Sequence, residues 1–225
     1  MTARARRTGR SRSTRLWRTG LVVGIIVLLV GFRLVEQIGP ERHPDDRFTV
    51  VRVIDGDTVE LLGGDRLRLL GVDTPERDEP LFDEARQFLV ELALGRSLEL
   101  EFAGSRRDRY GRLLALAYVD DSVLVNKVII ENGLGYLYLF RDSPTDHPAF
   151  AAMMQAQRAA LDRSLGVMAP VAEPEPYYVA SQSSFRFHRP GCRSADTYTP
   201  DRWRRFGSRE EALREGLSPC RNCRP

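Results

Sequence analysis

The stretch "RVIDGDTVELLGGDRLRLLGVDTPE", residues 52–76, decides how the chain is read. Short β-branched and leucine-rich runs alternate there with Asp-Gly and Gly-Gly, so residues 48–54, 58–62 and 66–72 are predicted as three strands of a meander. A tight turn needs only one aspartate. Asp57, directly after Asp55 and Gly56, therefore opens the second strand, where a short carboxylate faces a crevice at the sheet's end. The third strand runs out into Asp73 and then Glu76. Neighbouring strand ends bring Asp57 and Asp73 within reach of one ion. Two carboxylates with a backbone carbonyl and water make an oxygen-only shell that suits Ca²⁺, and Mg²⁺ less comfortably. No histidine or cysteine stands near to suggest zinc at this point.

Downstream the period changes. Leu81, Phe82, Ala85, Phe88, Leu89 and Leu92 mark an amphipathic helix that Gly95 ends. "SLELEF" (97–102) alternates, with Leu98, Leu100 and Phe102 on one face and Glu99 and Glu101 on the other, as a half-exposed strand does. "GRLLALAYV" (111–119) is a further strand. Residues 125–132 form a short helix stopped at Gly133, and residues 148–164 a longer one with Phe150, Met153, Met154, Gln157 and Leu161 inside. Five strands and three helices over residues 48–170 make an α+β domain, a small closed barrel of the oligonucleotide/oligosaccharide-binding type. A fold of that kind does not by itself give a function.

The side chains go further. Phosphodiester hydrolysis needs neutralised phosphoryl oxygens, a base for water, and positioning. A metal beside Glu76 supplies the first two, and Arg68 and Arg112 (in "RDRYGR", 107–112) supply bidentate clamps for phosphate. Each piece has a plainer reading: Asp-Gly-Asp as turn chemistry, Asp-Thr-Pro-Glu as a strand exit, Arg68 on a solvated strand face and Arg112 in a turn. Their joint order gives the set its weight.

That order resembles the staphylococcal nuclease (thermonuclease) family. The segments that carry the resemblance are "VIDGDTVEL" (53–61), "RLRLLGVDTPE" (66–76), "DRYGRLLALAYV" (108–119) and "VNKVIIENGLGYLY" (125–138), within residues 48–170. The resemblance implies calcium ligands at Asp57, Asp73 and the backbone carbonyl of Thr74, with Asp55 in an outer-shell or water-mediated place. It implies a general base at Glu76, phosphate-binding arginines at Arg68 and Arg112, and hydrolysis of DNA and RNA with the 5' oxygen leaving. Two features depart from the family. Residues 48–170 carry 14 Lys/Arg against 20 Asp/Glu, where the archetype is strongly basic. Tyr136, Tyr138 and Phe140 fall out of the family's register for base stacking, so they are expected to serve the core.

The ends of the chain are basic. Residues 1–18 hold seven arginines and no acid, and 177–225 hold ten against five acids, within a net charge of only +3. Attraction to polyanions is therefore expected from the ends. "TGLVVGIIVLLVGF" (19–32) is apolar, and with Arg33 snorkelling residues 19–36 reach the lower limit of a transmembrane helix. The basic flank predicts a single-pass anchor in the cell membrane, with the rest of the chain extracytoplasmic. The alternative is secretion after signal cleavage, although no small-x-small site follows. Residues 37–47 and the Pro/acid-alternating 171–176 read as linkers.

All three cysteines lie in the last stretch. His188-x3-Cys192 and Cys220-x2-Cys223 form a four-ligand set with zinc spacing, a structural staple for a small α+β module over 177–225. A Cys220–Cys223 disulfide with Cys192 free is the alternative. "SREEALREG" (208–216) is a helix with a capping box, Ser208 with Glu211. The module resembles the metal-binding domain at the start of the Ada repair proteins. That family has four cysteines, and His188 stands where its methyl-accepting thiol would be, so zinc binding without methyl transfer is expected. Arg202, Arg204 and Arg205 around Trp203 are either a DNA-binding face or a solvated one.

Together these readings predict a membrane-anchored or exported calcium-dependent nuclease that needs no organic cofactor, with endo- against exonuclease action left open. A non-catalytic nucleic-acid-binding module and a scaffolding protein are the alternatives.

Overall fold

The computed structural model describes residues 46–195 and 202–225, so the expectations for residues 1–45, the anchor among them, lie outside the described residues. Among the described residues no helix is long and apolar enough to cross a membrane.

The meander forms as its sequence pattern requires. β1 (Val50–Val53), β2 (Thr58–Leu61) and β3 (Arg66–Leu69) pair antiparallel in order, with an irregular register between Val50 and Arg52. The chain then leaves the sheet at Gly71 (φ 75°), a conformation that carries no penalty without a Cβ, and β4 (Val72–Asp73) turns away. Helix α1 (Phe82–Ala93) buries Ala85, Leu89 and Ala93, one stripe at i, i+4 and i+8. β5 (Glu99–Glu101) and β6 (Leu113–Val119) follow, and β7 (Val123–Leu124) pairs with β6.

β6 lies parallel to β3 and antiparallel to β5, giving the order β1-β2-β3-β6-β5. The far edges meet. Val50 donates its amide to Arg96 O at 2.9 Å, Leu98 donates to Phe48 O at 3.2 Å, and Thr49 bridges Ser97. The predicted five-stranded barrel is thus closed, leaving no exposed sheet edge along that seam.

Two helices complete the barrel domain: α2 (Val125–Glu131), then β8 (Tyr136–Leu137), then α3 (Pro148–Asp162). Asn126, fully buried on α2, ties the helix to the barrel. Its Oδ1 accepts the Ala117 amide at 2.9 Å, and its Nδ2 donates to Leu70 O at 2.8 Å. β8 pairs antiparallel with β4, setting Tyr136 opposite Asp73. This pairing joins segments far apart in sequence, and it sets one wall of the site.

One alternation fails. Glu99, expected on the open face of its strand, is buried, and Leu100 and Phe102 are only half-buried. Glu101, on the same face, stays partly exposed and is held by the Tyr118 hydroxyl at 2.9 Å and by His147 at 3.1 Å.

The C-terminal module comprises β9 (Tyr178–Ser181), β10 (Arg186–Phe187), β11 (Trp203–Phe206), helix α4 (Arg209–Arg214) and β12 (Ser218–Pro219). β9 pairs with β11, and β10 runs parallel to β12. The capping box forms with a shift. Ser208 Oγ accepts the Glu211 amide at 3.0 Å, but the Glu211 carboxylate takes the amide of Gly207, one residue earlier than the motif prescribes. Residues 171–176 do not hold the module at a distance, for Tyr178, Phe187, Phe206, Leu213 and Leu217 share one apolar core with the barrel and its helices. Gln157, fully buried on α3, joins the two: it accepts the Leu137 amide at 2.8 Å and donates to Leu213 O at 2.7 Å.

Candidate active site and metal centre

The paired aspartates have separate tasks. Asp55 Oδ1 accepts the Asp57 amide at 3.1 Å, which is turn chemistry. Asp57 instead projects to the barrel rim, where it is buried. Its Oδ1 accepts the Thr58 hydroxyl at 2.9 Å, and its Oδ2 accepts the Thr74 amide at 3.2 Å. Thr74 is thereby held beside Asp57, as the end of β4 brings Asp73 in from the adjoining strand.

Arg68, on β3 between them, touches both acids: Nη2 donates to Asp73 Oδ1 at 3.2 Å, and Nη1 lies 2.9 Å from Asp57 Oδ1. Burial opposes the Arg68 charge, but Asp57 and Asp73 more than offset this and hold the guanidinium protonated above its usual range. Burial likewise pushes Asp73 above the ordinary carboxylate range. Asp55 is raised to about 6, by burial and then by the charge of Asp57. Acids that repel one another and are short of water are where a cation gains most. The donors are all oxygen, the set that hard divalent ions take, and the residues fit such an ion.

These residues open into a cleft of about 530 Å³, lined among others by Asp55, Asp57, Arg68, Glu76, Arg112 and Tyr138. Glu76 sits at its mouth, half-exposed. Arg112 enters from the 107–112 turn, oriented by Asp108, whose Oδ2 accepts Nε at 2.7 Å. All the residues singled out in the sequence for the site therefore converge on one place.

Sequence reasoning missed part of that wall. Tyr138 and Phe140, assigned above to the core, line the cleft instead, ring centroids 4.9 Å apart in an edge-on contact, with Phe140 51 % exposed. Arg186 of β10 lies over the Tyr138 ring at 3.4 Å from the centroid. Arg221, inside the Cys-x2-Cys loop, also reaches the cleft: Nη1 pairs with Glu76 Oε1 at 2.8 Å, and the guanidinium pairs with Asp73. Nothing in the sequence distinguished these from other surface arginines, because the contact depends on how the module docks.

The second cluster is compact. The parallel pairing of β10 with β12 sets His188 beside Cys220, the residue after each strand, and Cys220 donates its amide to Phe187 O at 3.0 Å. The ligand atoms of His188, Cys192, Cys220 and Cys223 all lie within 4.8 Å of one another, and the three cysteines are free thiols, so no Cys220–Cys223 disulfide is formed. His188 Nδ1 is buried without a hydrogen-bond partner. An orphaned imidazole nitrogen costs stability unless it coordinates something. Burial lowers the His188 pKa, with Arg186 adding to it, which favours the neutral ring a metal needs. Burial pushes the Cys223 thiol up to about 12, a preference that a cation among three sulfurs reverses. The Arg189 amide points at Cys223 Sγ from 3.4 Å. The donor set and its spacing fit a tetrahedral thiolate-imidazole metal centre.

The family described as staphylococcal nuclease homologue matches residues 66–167. The chain carries a staphylococcal nuclease family domain. A micrococcal nuclease of Shigella flexneri is 29 % identical over 144 residues, which cover 59 % of this chain and 79 % of that protein. A thermonuclease of Staphylococcus hyicus is 29 % identical over 140 residues, covering 55 % and 82 %. Endonuclease YncB of Bacillus subtilis is 40 % identical over 103 residues, and there the match spans only 48 % of the relative. The family and the names of these relatives place this chain among the nuclease hydrolases. The match to the staphylococcal nuclease family ends at residue 167, before the Cys/His cluster.

Proposed function

We propose that the protein is a calcium-dependent nuclease that hydrolyses phosphodiesters of DNA, RNA or both, with a zinc-stapled C-terminal module. The observation that carries this reading is the pair of buried carboxylates, Asp57 and Asp73, flanking Arg68 below a cleft that also presents Glu76 and Arg112.

In this reading Asp57, Asp73 and the Thr74 carbonyl hold Ca²⁺, with Asp55 beside them. The ion, when bound, neutralises charge on the phosphoryl group. Glu76, at the open side of the cleft, takes the proton from the attacking water. Arg68 and Arg112 bind the non-bridging phosphate oxygens and stabilise the charge that grows on them in the transition state. The 5' oxygen leaves, so one product ends in a 3' phosphate. Phe140, exposed at the cleft beside Tyr138, offers a stacking surface to a base. His188, Cys192, Cys220 and Cys223 hold structural Zn²⁺, which fixes a module too small to be stable on its own core. An anchor at residues 19–36 would set both parts outside the cytoplasm, where calcium is plentiful enough for a weak site.

The test is cleavage of a single-stranded DNA by the purified full-length protein under each divalent cation. Calcium-dependent cleavage leaving 3' phosphate ends is the expected result. An intact fold by circular dichroism with no cleavage under any divalent ion would sink the proposal and leave a binding module.

A further inference from the structure

The nuclease domain is short of positive charge, 14 basic residues against 20 acids over 48–170, while residues 177–225 carry ten against five. Beyond Arg68, Arg112 and a bound cation, the barrel is therefore poor in positive charge to offer a polyanion. The docked module delivers it. Arg221 lies between two members of the Cys/His cluster. Its backbone is fixed on one side by the Cys220 amide on Phe187 O (3.0 Å) and on the other by the Arg224 amide on Cys220 O (2.9 Å). From that loop its side chain crosses to the cleft. Nη1 lies 2.8 Å from Glu76 Oε1, Nε donates to Asp73 Oδ2 at 3.4 Å, Nη2 pairs with Asp73 Oδ1, and the guanidinium stands 5.8 Å from the Tyr138 ring centre.

We infer that Arg221 is a third phosphate-binding arginine of the nuclease cleft, presented to the substrate by the metal-stapled loop. The inference rests on the nuclease reading above and names a substrate contact that the barrel does not supply. Two features separate such a residue from a structural clamp. Its side chain is 49 % exposed and lines the cleft, open to an incoming substrate. Its partners are also the two carboxylates that a cation and a water proton would claim during turnover. Once they are engaged, phosphate oxygens are the anions left within its reach, and its fork matches them bidentately. The loop itself is tied down elsewhere. Arg224 pairs with Asp78 at 3.4 Å and Glu79 at 3.0 Å, and Arg189 pairs with Glu175 at 2.8 Å, so Arg221 can turn from carboxylate to phosphate without the backbone moving.

The experiment uses full-length Glu76→Gln protein, in which cleavage is expected to be slow enough for substrate binding to be read. Binding of a fluorescent single-stranded DNA oligonucleotide in Ca²⁺ is followed by anisotropy across a salt series. Added to this background, Arg221→Ala should weaken binding at least tenfold and flatten the slope of log K against log salt by about 0.7, the value of one phosphate contact. Bound zinc should stay unchanged. Arg221→Lys should keep the slope and recover part of the affinity. A module merely loosened by the substitution would withdraw several arginines together and flatten the slope by several contacts, which overturns the inference. Unchanged or tighter binding by Arg221→Ala also overturns it and makes the loop a cover over the acids. Arg112→Ala in the same background separates the two levels. Loss of binding there with none in Arg221→Ala refutes this inference alone, whereas a parent protein that binds no oligonucleotide refutes the nuclease reading with it.

Discussion

Gly56 and Thr74 are so close that a Cβ at position 56 would lie 2.8 Å from the Thr74 hydroxyl oxygen, and equally close to the Ala85 methyl of α1. Glycine at the centre of Asp-Gly-Asp is thus required by the approach of the β4 exit. Gly56→Ala should push Thr74 off Asp57, destabilise the protein by about 1–3 kcal/mol, and weaken Ca²⁺ binding in calorimetry. An unchanged urea midpoint and calcium affinity would contradict this packing.

Asn126 makes its bonds where water has no access. Asn126→Ala strands the Ala117 amide and the Leu70 carbonyl, at about 1–3 kcal/mol for each. The loss should appear as global destabilisation in denaturant, with the active-site residues untouched. A variant as stable as the parent would show that the barrel does not depend on this link.

Gln157 links the cleft wall to the module. Gln157→Leu keeps the volume but leaves the Leu137 amide unpaired, while Leu213 O retains the Gly216 amide at 3.0 Å. A cost of about 1–3 kcal/mol follows, together with faster proteolytic release of residues beyond 170. Equal protease resistance in the two proteins would count against the shared core.

Metal removal tests the Cys/His cluster. One zinc per chain by atomic emission is expected, and stripping it should lower the melting temperature of the entire described fold, because the module and barrel share an apolar core. Cys223→Ser should reproduce the effect. An unaltered transition after complete stripping would rule out a structural role for the metal.

Much of this architecture was legible in the chain because it is written locally. Alternation and Asp-Gly turns marked β1 to β3, the 3.6 period marked α1 and α3, and the order of Asp57, Arg68, Asp73, Glu76 and Arg112 marked the cleft. What escaped was decided at long range. Tyr138 and Phe140 face the cleft because β8 pairs with β4, a register that local pattern does not encode. Glu99 is buried although the alternation of its strand sets it on the open face. Arg221 enters the site because parallel β10–β12 pairing aims the Cys-x2-Cys loop at the barrel, and an arginine between two cysteines carries no mark of that.

The claim at the centre of this account is that Glu76 serves as the base beside a calcium held by Asp57 and Asp73. Its most direct test is the single-turnover cleavage rate of Glu76→Gln in saturating Ca²⁺, with calcium binding measured on the same sample. The account predicts a rate at least ~10²-fold below wild type with calcium still bound. A Gln variant that cuts at the wild-type rate would contradict it.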